Sequence, residues 1–311
     1  MNSKNNSTKR YNYESSLGVC LVFFAYSMWG LTPLYTQFLE HVPYFEVIIH
    51  RVLWSLPGVF LAFRCFSGDM ASLKYTVKNT KVLLMLILSA TLLACHWGVF
   101  IYALLAGRGF ETSLSFFITP IISIALGTLF LKEKMSKMQV AATIITVTAL
   151  LIMTFYKGLP FLSLSIAITW SSYCFTRKTI AAKSIDGFLL EMFFLSIPSI
   201  IIAVWLYNKG ESHFLNGFSD TMLLVGYGII NSIVFCVFSY AIKITKLSTV
   251  GIMEYLAPIV MMINTIFVLK QPISKIDIIV FILIFVSLLI YILPVVLTNK
   301  ETVIKSKNNK N

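Results

Sequence analysis

The chain has 311 residues, of which 58% are hydrophobic and only 12% charged, with a mean hydropathy of +0.83. Soluble domains are about 45–50% apolar and about 25% charged, and a water-soluble fold of this length has too little interior to hide that much apolar surface. The formal net charge of +12 would suit nucleic acid, but Lys and Arg fall mainly between apolar runs, so the charge is read as membrane orientation and no nucleic-acid partner is expected.

A helix needs about 20 apolar residues to cross the hydrocarbon core. After a polar N-terminus (1–15), candidate spans follow in chain order at 16–38, 45–66, 82–105, 111–131, 138–156, 160–177, 187–207, 221–242, 249–269 and 277–297, then a basic tail (298–311). The first has no small-residue cleavage site after it and is read as a retained helix. The links are short, so neighbouring spans are expected to run antiparallel. Cys20, Cys65, Cys95, Cys174 and Cys236 show no CxxC spacing and are read as small buried hydrophobes.

With the N-terminus inside, alternate loops and ends on the inner side hold nineteen Lys and Arg residues and the outer loops five, with Arg51 left within a span. That bias predicts ten transmembrane helices with both termini cytoplasmic. Residues 113–152 also align without gaps on 251–290 at an offset of 138, bringing Thr119-Pro120 onto Ala257-Pro258 and making ten of forty positions identical. Five spans per half is odd, so the second half (160–297) must insert upside down relative to the first (16–156). Inverted repeats are a feature of secondary transporters, whose substrate sites lie near the midplane between the halves. The expected fold is therefore all-α and integral to the membrane, with a central cavity between two inverted five-helix halves.

Ionisable groups within spans are expensive and are functional candidates by default. His50 and Arg51 lie in the second span, His96 in the third, Glu191 in the seventh and Glu254 in the ninth, just before Tyr255 and Pro258. Aligning Ser55-Leu56-Pro57 on Ser196-Ile197-Pro198 sets His50 opposite Glu191. The bland alternative is a structural Arg51–Glu191 ion pair, or side chains that snorkel to an interface. Trp29, Trp54, Trp97, Trp170, Tyr35, Tyr102, Tyr173 and Tyr255 are candidates to line an aromatic path, with belt anchoring or packing as the alternative. Glu46 and Glu111 start spans, where a helix N-terminus favours an acid without any further role. His41 and His213 are read as loop residues without a role. Pro33, Pro57, Pro120, Pro198 and Pro258 fall within spans and are expected to kink them. The chain holds no GxxxxGK[ST], GxSxG or HExxH, and its His residues lack zinc spacing, so no catalytic group, cofactor or metal is expected.

Specific runs carry a family resemblance. Residues 25–35 (AYSMWGLTPLY), Val42-Pro43, Glu46, His50-Arg51-Val52-Leu53-Trp54-Ser55, residues 111–120 (ETSLSFFITP), Tyr173 with Arg177-Lys178, Glu191, and Leu247-Ser248-Thr249 leading to Tyr255 and Pro258 resemble the RarD branch of the EamA transporters, in the drug/metabolite transporter superfamily. The resemblance covers about residues 15 to 297. It implies two EamA repeats of five helices in a bacterial inner membrane, and a permease that moves a small metabolite or drug-like solute by alternating access. The alternative is a non-transporting sensor or assembly protein that keeps the fold. Trp29, His50, Arg51, Trp54, His96, Trp97, Phe117, Thr119, Tyr173, Glu191, Glu254 and Tyr255 are the candidate substrate or coupling residues. The chain departs from the branch pattern at His96 (usually Asn), Thr119 (usually Asn) and Glu254 (usually Gln). The gained carboxylate leads to the expectation of a substrate with a cationic group, or of proton coupling through Glu254.

Overall fold

The structure, a computed structural model, describes residues 15–67, 69–105, 109–157 and 161–267, with 275–276, 278–280, 282–283, 285–291 and 293–294 beyond them. The N-terminal segment, the basic tail and much of the tenth predicted span lie outside the described residues, as does the side chain of Phe117.

Among the described residues the chain is all helix. The first predicted span is a broken one. Helix α1 (Ser16–Gly30) ends at Leu31, and the chain resumes as a short α2 (Thr32–Thr36) and a 3-10 turn (Gln37–Leu39). Pro33 accounts for the break, because a proline has no N–H to offer the Trp29 carbonyl one turn back. Helix α3 (Tyr44–Ala62) carries Pro57 without interruption and closes in a π-helical turn, Phe63–Ser67. The sequence reading did not foresee α4 (Met70–Lys78), a short surface helix that Asp69 caps by accepting from the Ala71 N–H at 3.1 Å.

Helices α5 (Thr80–Leu105), α6 (Gly109–Leu129), α7 (Lys137–Lys157), α8 (Phe161–Thr179), α9 (Ser184–Lys209) and α10 (Phe218–Ile244) follow. Gly210, at φ 71°, ends α9 in the left-handed conformation that glycine adopts without strain. The ninth predicted span divides into α11 (Leu247–Met253) and α12 (Leu256–Phe267). Pro258 cannot bond the Glu254 carbonyl, which instead accepts from the Ala257 N–H at 3.2 Å. The last apolar helix is α13 (Ile278–Tyr291).

Six helices are long and apolar enough to cross a membrane among the described residues: Ser16–Leu39, Tyr44–Phe66, Thr80–Phe100, Lys137–Tyr156, Ser184–Lys209 and Phe218–Ile244. Their outward faces show large apolar side chains such as Phe60, Leu88, Ile201 and Ile233, as lipid-facing helices do. Helix α8 is the polar exception. Its Ser163, Ser171, Thr176, Arg177 and Lys178 are all buried, because α8 packs inside the bundle against α5 and α6. The packing pairs recur with the halves exchanged: α3 meets α10 as α9 meets α5, and α5 meets α8 as α10 meets α1. Two contacts, α3 with α9 and α6 with α11, map onto themselves.

Small residues let these backbones approach. A Cβ on Gly251 would lie 2.6 Å from Ser123 Cβ and 3.0 Å from the Pro120 carbonyl oxygen, so glycine sets the α6–α11 crossing. Gly98 has nothing within 4 Å of that position. Gly251→Val is expected to lower stability by about 1–3 kcal/mol through overpacking, and Gly98→Val to change it far less. Denaturant titration of both variants in detergent checks this, and equal losses would contradict the packing account.

Candidate functional site

The middle of the bundle is a layer of rings. Tyr26 and Trp29 from α1 meet Trp170 from α8 and Phe235 and Phe238 from α10. Trp29 stands 5.5 Å from Trp170 and 5.0 Å from both Phe235 and Phe238, centroid to centroid, in edge-on or tilted geometry. Within this packing, four buried polar atoms have no hydrogen-bond partner among the described residues: the Tyr26 hydroxyl, Trp29 Nε1, Trp170 Nε1 and Glu254 Oε2. The Trp170 indole faces both the Tyr26 hydroxyl and the Glu254 carboxylate without closing a hydrogen bond to either. Glu254 is 4% exposed and sits at the break between α11 and α12. A buried unsatisfied group costs about 1–3 kcal/mol, so four in one place need a reason other than stability.

His96, Trp97 and Arg51 border the layer. His96 Nδ1 lies 3.3 Å from the Ile166 carbonyl oxygen, and its ring lies 4.9 Å from Trp170. The Arg51 guanidinium carbon lies 4.5 Å from the Trp97 ring centre, 5.2 Å from Tyr227 and 5.9 Å from Phe235. Its Nε donates to Asn231 Oδ1 at 2.8 Å, and Asn231 Nδ2 donates to Ser55 Oγ at 2.8 Å.

Glu191 does not pair with Arg51. It lies 3.5 Å from Arg177 Nη1, and the Tyr173 hydroxyl donates to its other oxygen at 3.4 Å. Arg177 also donates to the Ser184 carbonyl at 2.7 Å. Both charges are completely buried, which makes this trio a brace between α8 and α9. Thr119 Oγ1 donates to the Ser115 carbonyl of its own helix, while the Thr119 carbonyl accepts from Ser171 Oγ. Tyr255 is fully buried beside Thr146. The twelve candidates therefore divide. Trp29, His96, Trp97, Arg51 and Glu254 gather at the central rings, whereas Tyr173 and Glu191 belong to the brace.

His50 and Trp54 belong to a third place. A cavity of about 320 Å³ between α3 and α9 is lined by Glu46, His50, Leu53, Trp54, Tyr207 and Phe214 among others. Trp54 Nε1 donates to His50 Nδ1 at 3.2 Å. Glu46 at its rim is far more than a favourable helix start. It is fully buried and accepts from Ser212 Oγ at 2.7 Å, the His213 N–H at 2.7 and 2.9 Å, and the Phe214 N–H at 2.9 Å. His213 Nδ1 adds a contact at 3.1 Å, so this loop histidine has a place in the structure after all.

At the opposite end, Asp186 of α9 is fully buried and accepts from Ser72 Oγ of α4 at 2.7 Å. Beside it Lys183 contacts Asp69 at 3.1 Å, and that hydrogen bond holds the Asp69 carboxyl below the usual carboxylate range. The offset of 141 that sets Ser55 on Ser196 also sets Phe45 on Asp186 and Ser72 on His213. To within one residue, the two carboxylate clamps are equivalents. At the Asp186 end Glu133 caps α11, accepting from the Leu247 N–H at 2.6 Å and the Ser248 N–H at 2.9 Å. Lys243 of α10 donates to the Ile180 carbonyl at 2.5 Å, and Lys178 of α8 donates to the Ile242 carbonyl at 3.2 Å and to Thr245 O. Each basic side chain thus meets carbonyls freed at the end of the other helix.

Sequence reasoning passed over Tyr26, Asn231, Glu133 and Asp186. Their polarity was visible, but the hydrogen-bond partners are 100 or more residues away in several cases. The cysteines divide as well: Cys174 is buried and Cys236 partly so, but Cys20, Cys65 and Cys95 lie on the outer surface, and all five are free thiols. No group of three or more His, Cys, Asp or Glu suited to a metal gathers among the described residues.

Apolar helices that show lipid-type side chains outward and keep their polar groups inward define a multi-pass membrane protein. A model of the EamA-like transporter family matches the chain twice, over residues 16–155 and 157–293. Protein RarD of Salmonella typhi is 30% identical over 93% of this chain and 98% of its own length, and Protein RarD of Escherichia coli (strain K12) is 29% identical with the same coverage. The uncharacterized transporter YojE of Bacillus subtilis is 29% identical over 89% of this chain and 94% of its own. A solved crystal structure of 16% identity superposes with a TM-score of 0.69 over 89% of this chain and 97% of that one, a likeness of fold. The chain belongs to the EamA-like transporter family, in its RarD branch: it is a membrane transporter of the drug/metabolite kind, not an enzyme, and a multi-pass protein of the bacterial inner (plasma) membrane.

The Arg177–Glu191 brace yields a prediction. Glu191→Leu leaves a buried, uncompensated guanidinium and is expected to cost about 3–5 kcal/mol, whereas Arg177→Met combined with Glu191→Leu recovers most of that loss. A double-mutant cycle on detergent unfolding measures both, and a single-variant loss below about 1 kcal/mol would show that the pair is not a brace.

Proposed function

We propose that the protein is a secondary active transporter that carries a small solute between two inverted halves, residues 16–156 and 160–297, by alternating access. Ten helices with both termini cytoplasmic are the frame that the nineteen-to-five charge bias and the 138-residue repeat favour. In this frame the Glu46 clamp closes the outer end and the Asp186 clamp, with the Glu133 cap, closes the cytoplasmic end.

The observation that carries the reading is the set of unpartnered polar atoms in the ring layer. Tyr26 and Trp29 come from the first half, and Trp170 and Glu254 from the second. A solute held there touches both halves, and rocking of one half against the other would move its exposure from one side to the other. Glu254 gives the site a carboxylate for a cationic group or for a coupled proton. The recurrence of packing pairs with the halves exchanged supports two interconvertible arrangements of similar energy.

Flux into proteoliposomes over a panel of amino acids, nucleotides, S-adenosylmethionine and quaternary amines tests the function. Substrate-dependent uptake is expected, and its absence across the panel would favour a non-transporting membrane protein. Glu254→Gln is expected to lower uptake and flatten its pH dependence; unchanged uptake with an unchanged pH profile would remove Glu254 from both roles. The clamps give a separate test in a cysteine-free background carrying His50→Cys. Glu46→Ala is expected to raise the rate of maleimide labelling from outside several-fold, and Asp186→Asn to lower it. Equal rates in both variants would argue against paired gates.

A further inference from the structure

Glu254, which is buried, and Arg51, which is half-buried, stand apart from the other ionisable groups inside the bundle. Glu191 has Arg177, Glu46 and Glu133 have rows of N–H donors, and Asp186 has Ser72. Among the described residues no carboxylate pairs with Arg51 and no cation pairs with Glu254. A single charge kept without a counter-charge inside a membrane bundle is costly. Here two of opposite sign are kept, and they do not pair with one another.

Their surroundings are chemically different. Asn231 takes the Arg51 Nε–H, and the rings of Trp97, Tyr227 and Phe235 lie within 5.9 Å of the guanidinium carbon. This arrangement commits one N–H and leaves the planar fork of Nη groups, the part of arginine that matches a carboxylate with two parallel hydrogen bonds. Glu254 faces Trp170, Tyr26 and Cys174, none of which touches Arg51 in this way. Its Oε2 needs a donor, and indole faces beside it favour a cation. Trp29 joins the two environments, with Phe235 on one side and Tyr26 and Trp170 on the other.

We infer that the substrate is a zwitterion whose acid and amine stand at opposite ends of an apolar segment, the acid on Arg51, the amine on Glu254 and the segment against Trp29. This rests on the central site proposed above and names what that site selects. A zwitterion supplies both missing counter-charges at once and brings no net charge into the bundle. An amine alone would leave Arg51 uncompensated, and an acid alone would leave Glu254 so. On this reading a solute with both charges on one carbon reaches only one of the two environments.

The test is binding to the purified full-length protein in nanodiscs, read by isothermal titration calorimetry with four probes: 5-aminopentanoate, pentanoate, pentylamine and alanine. A hydrogen bond to a charged group contributes about 1.5–3 kcal/mol, so 5-aminopentanoate is expected to bind about tenfold to a hundredfold more tightly than each of the other three. Arg51→Gln should reduce it to the level of pentylamine while leaving pentylamine unchanged. Glu254→Gln should reduce it to the level of pentanoate. Arg51→Lys, which keeps the charge and loses the fork, should fall between wild type and Arg51→Gln and serves where the glutamine variant does not fold. Pentylamine, pentanoate or alanine binding as tightly as 5-aminopentanoate, an Arg51 variant without effect, or no binding of any probe would each overturn the inference. The flux panel is independent of these probes: uptake of some other solute, with none of the four bound, would leave the transporter reading standing and the zwitterion wrong.

Discussion

A polar group that has left water for the inside of a membrane bundle must find its partner within the protein, because lipid offers none. Most of this structure follows from that constraint. Glu46, Glu133 and Asp186 are each buried and each supplied with donors from a distant segment, so every one of them ties two helices or a helix and a loop together, and Glu191 with Arg177 and Tyr173 ties α8 to α9. Lys178 and Lys243 do the same with carbonyls at helix ends. The unmet groups at Tyr26, Trp29, Trp170 and Glu254 differ from these in lying together, in a layer to which both halves of the chain contribute rings.

A buried carboxylate contact of the same kind recurs at the two ends of the bundle. A carboxylate near the start of α3 holds the α9–α10 loop, and a carboxylate near the start of α9 holds α4. Glu46 draws on side-chain and backbone donors together, whereas Asp186 is tied to Ser72 with the Lys183–Asp69 pair alongside. Exposed pairs of the latter kind contribute little and weaken with salt. In a mechanism that opens the ends in turn, the balance between the two contacts sets which side is favoured at rest.

Much of this was legible in the sequence. Hydropathy located the described helices to within a few residues because lipid demands long apolar runs, and Pro33 and Pro258 fall where spans break, whereas Pro57, Pro120 and Pro198 lie within unbroken helices. Helix α4 was not legible, since a short amphipathic helix at a bundle end carries no span-length signal. The site was legible by residue type and not by grouping. Glu254, Trp29 and Trp97 stood out as costly or aromatic, but spacing along the chain could not separate Glu191, whose partner is Arg177, from Glu254. Glu46 was undervalued for the same reason, because the loop it holds lies more than 160 residues away. Tyr26 was not singled out and Trp170 was one of eight candidate aromatics, and only their unpartnered polar atoms set the two apart.

The central claim is that the carboxylate of Glu254 lies in the path of the solute. Modification by dicyclohexylcarbodiimide, which seeks carboxyl groups in apolar surroundings, tests it when sites are read by peptide mass spectrometry. The account predicts that Glu254 is modified and that a transported solute slows the reaction, while Glu46 and Glu133, whose oxygens are already engaged, react little with or without it. A Glu254 whose modification is indifferent to every solute the protein carries would contradict the account.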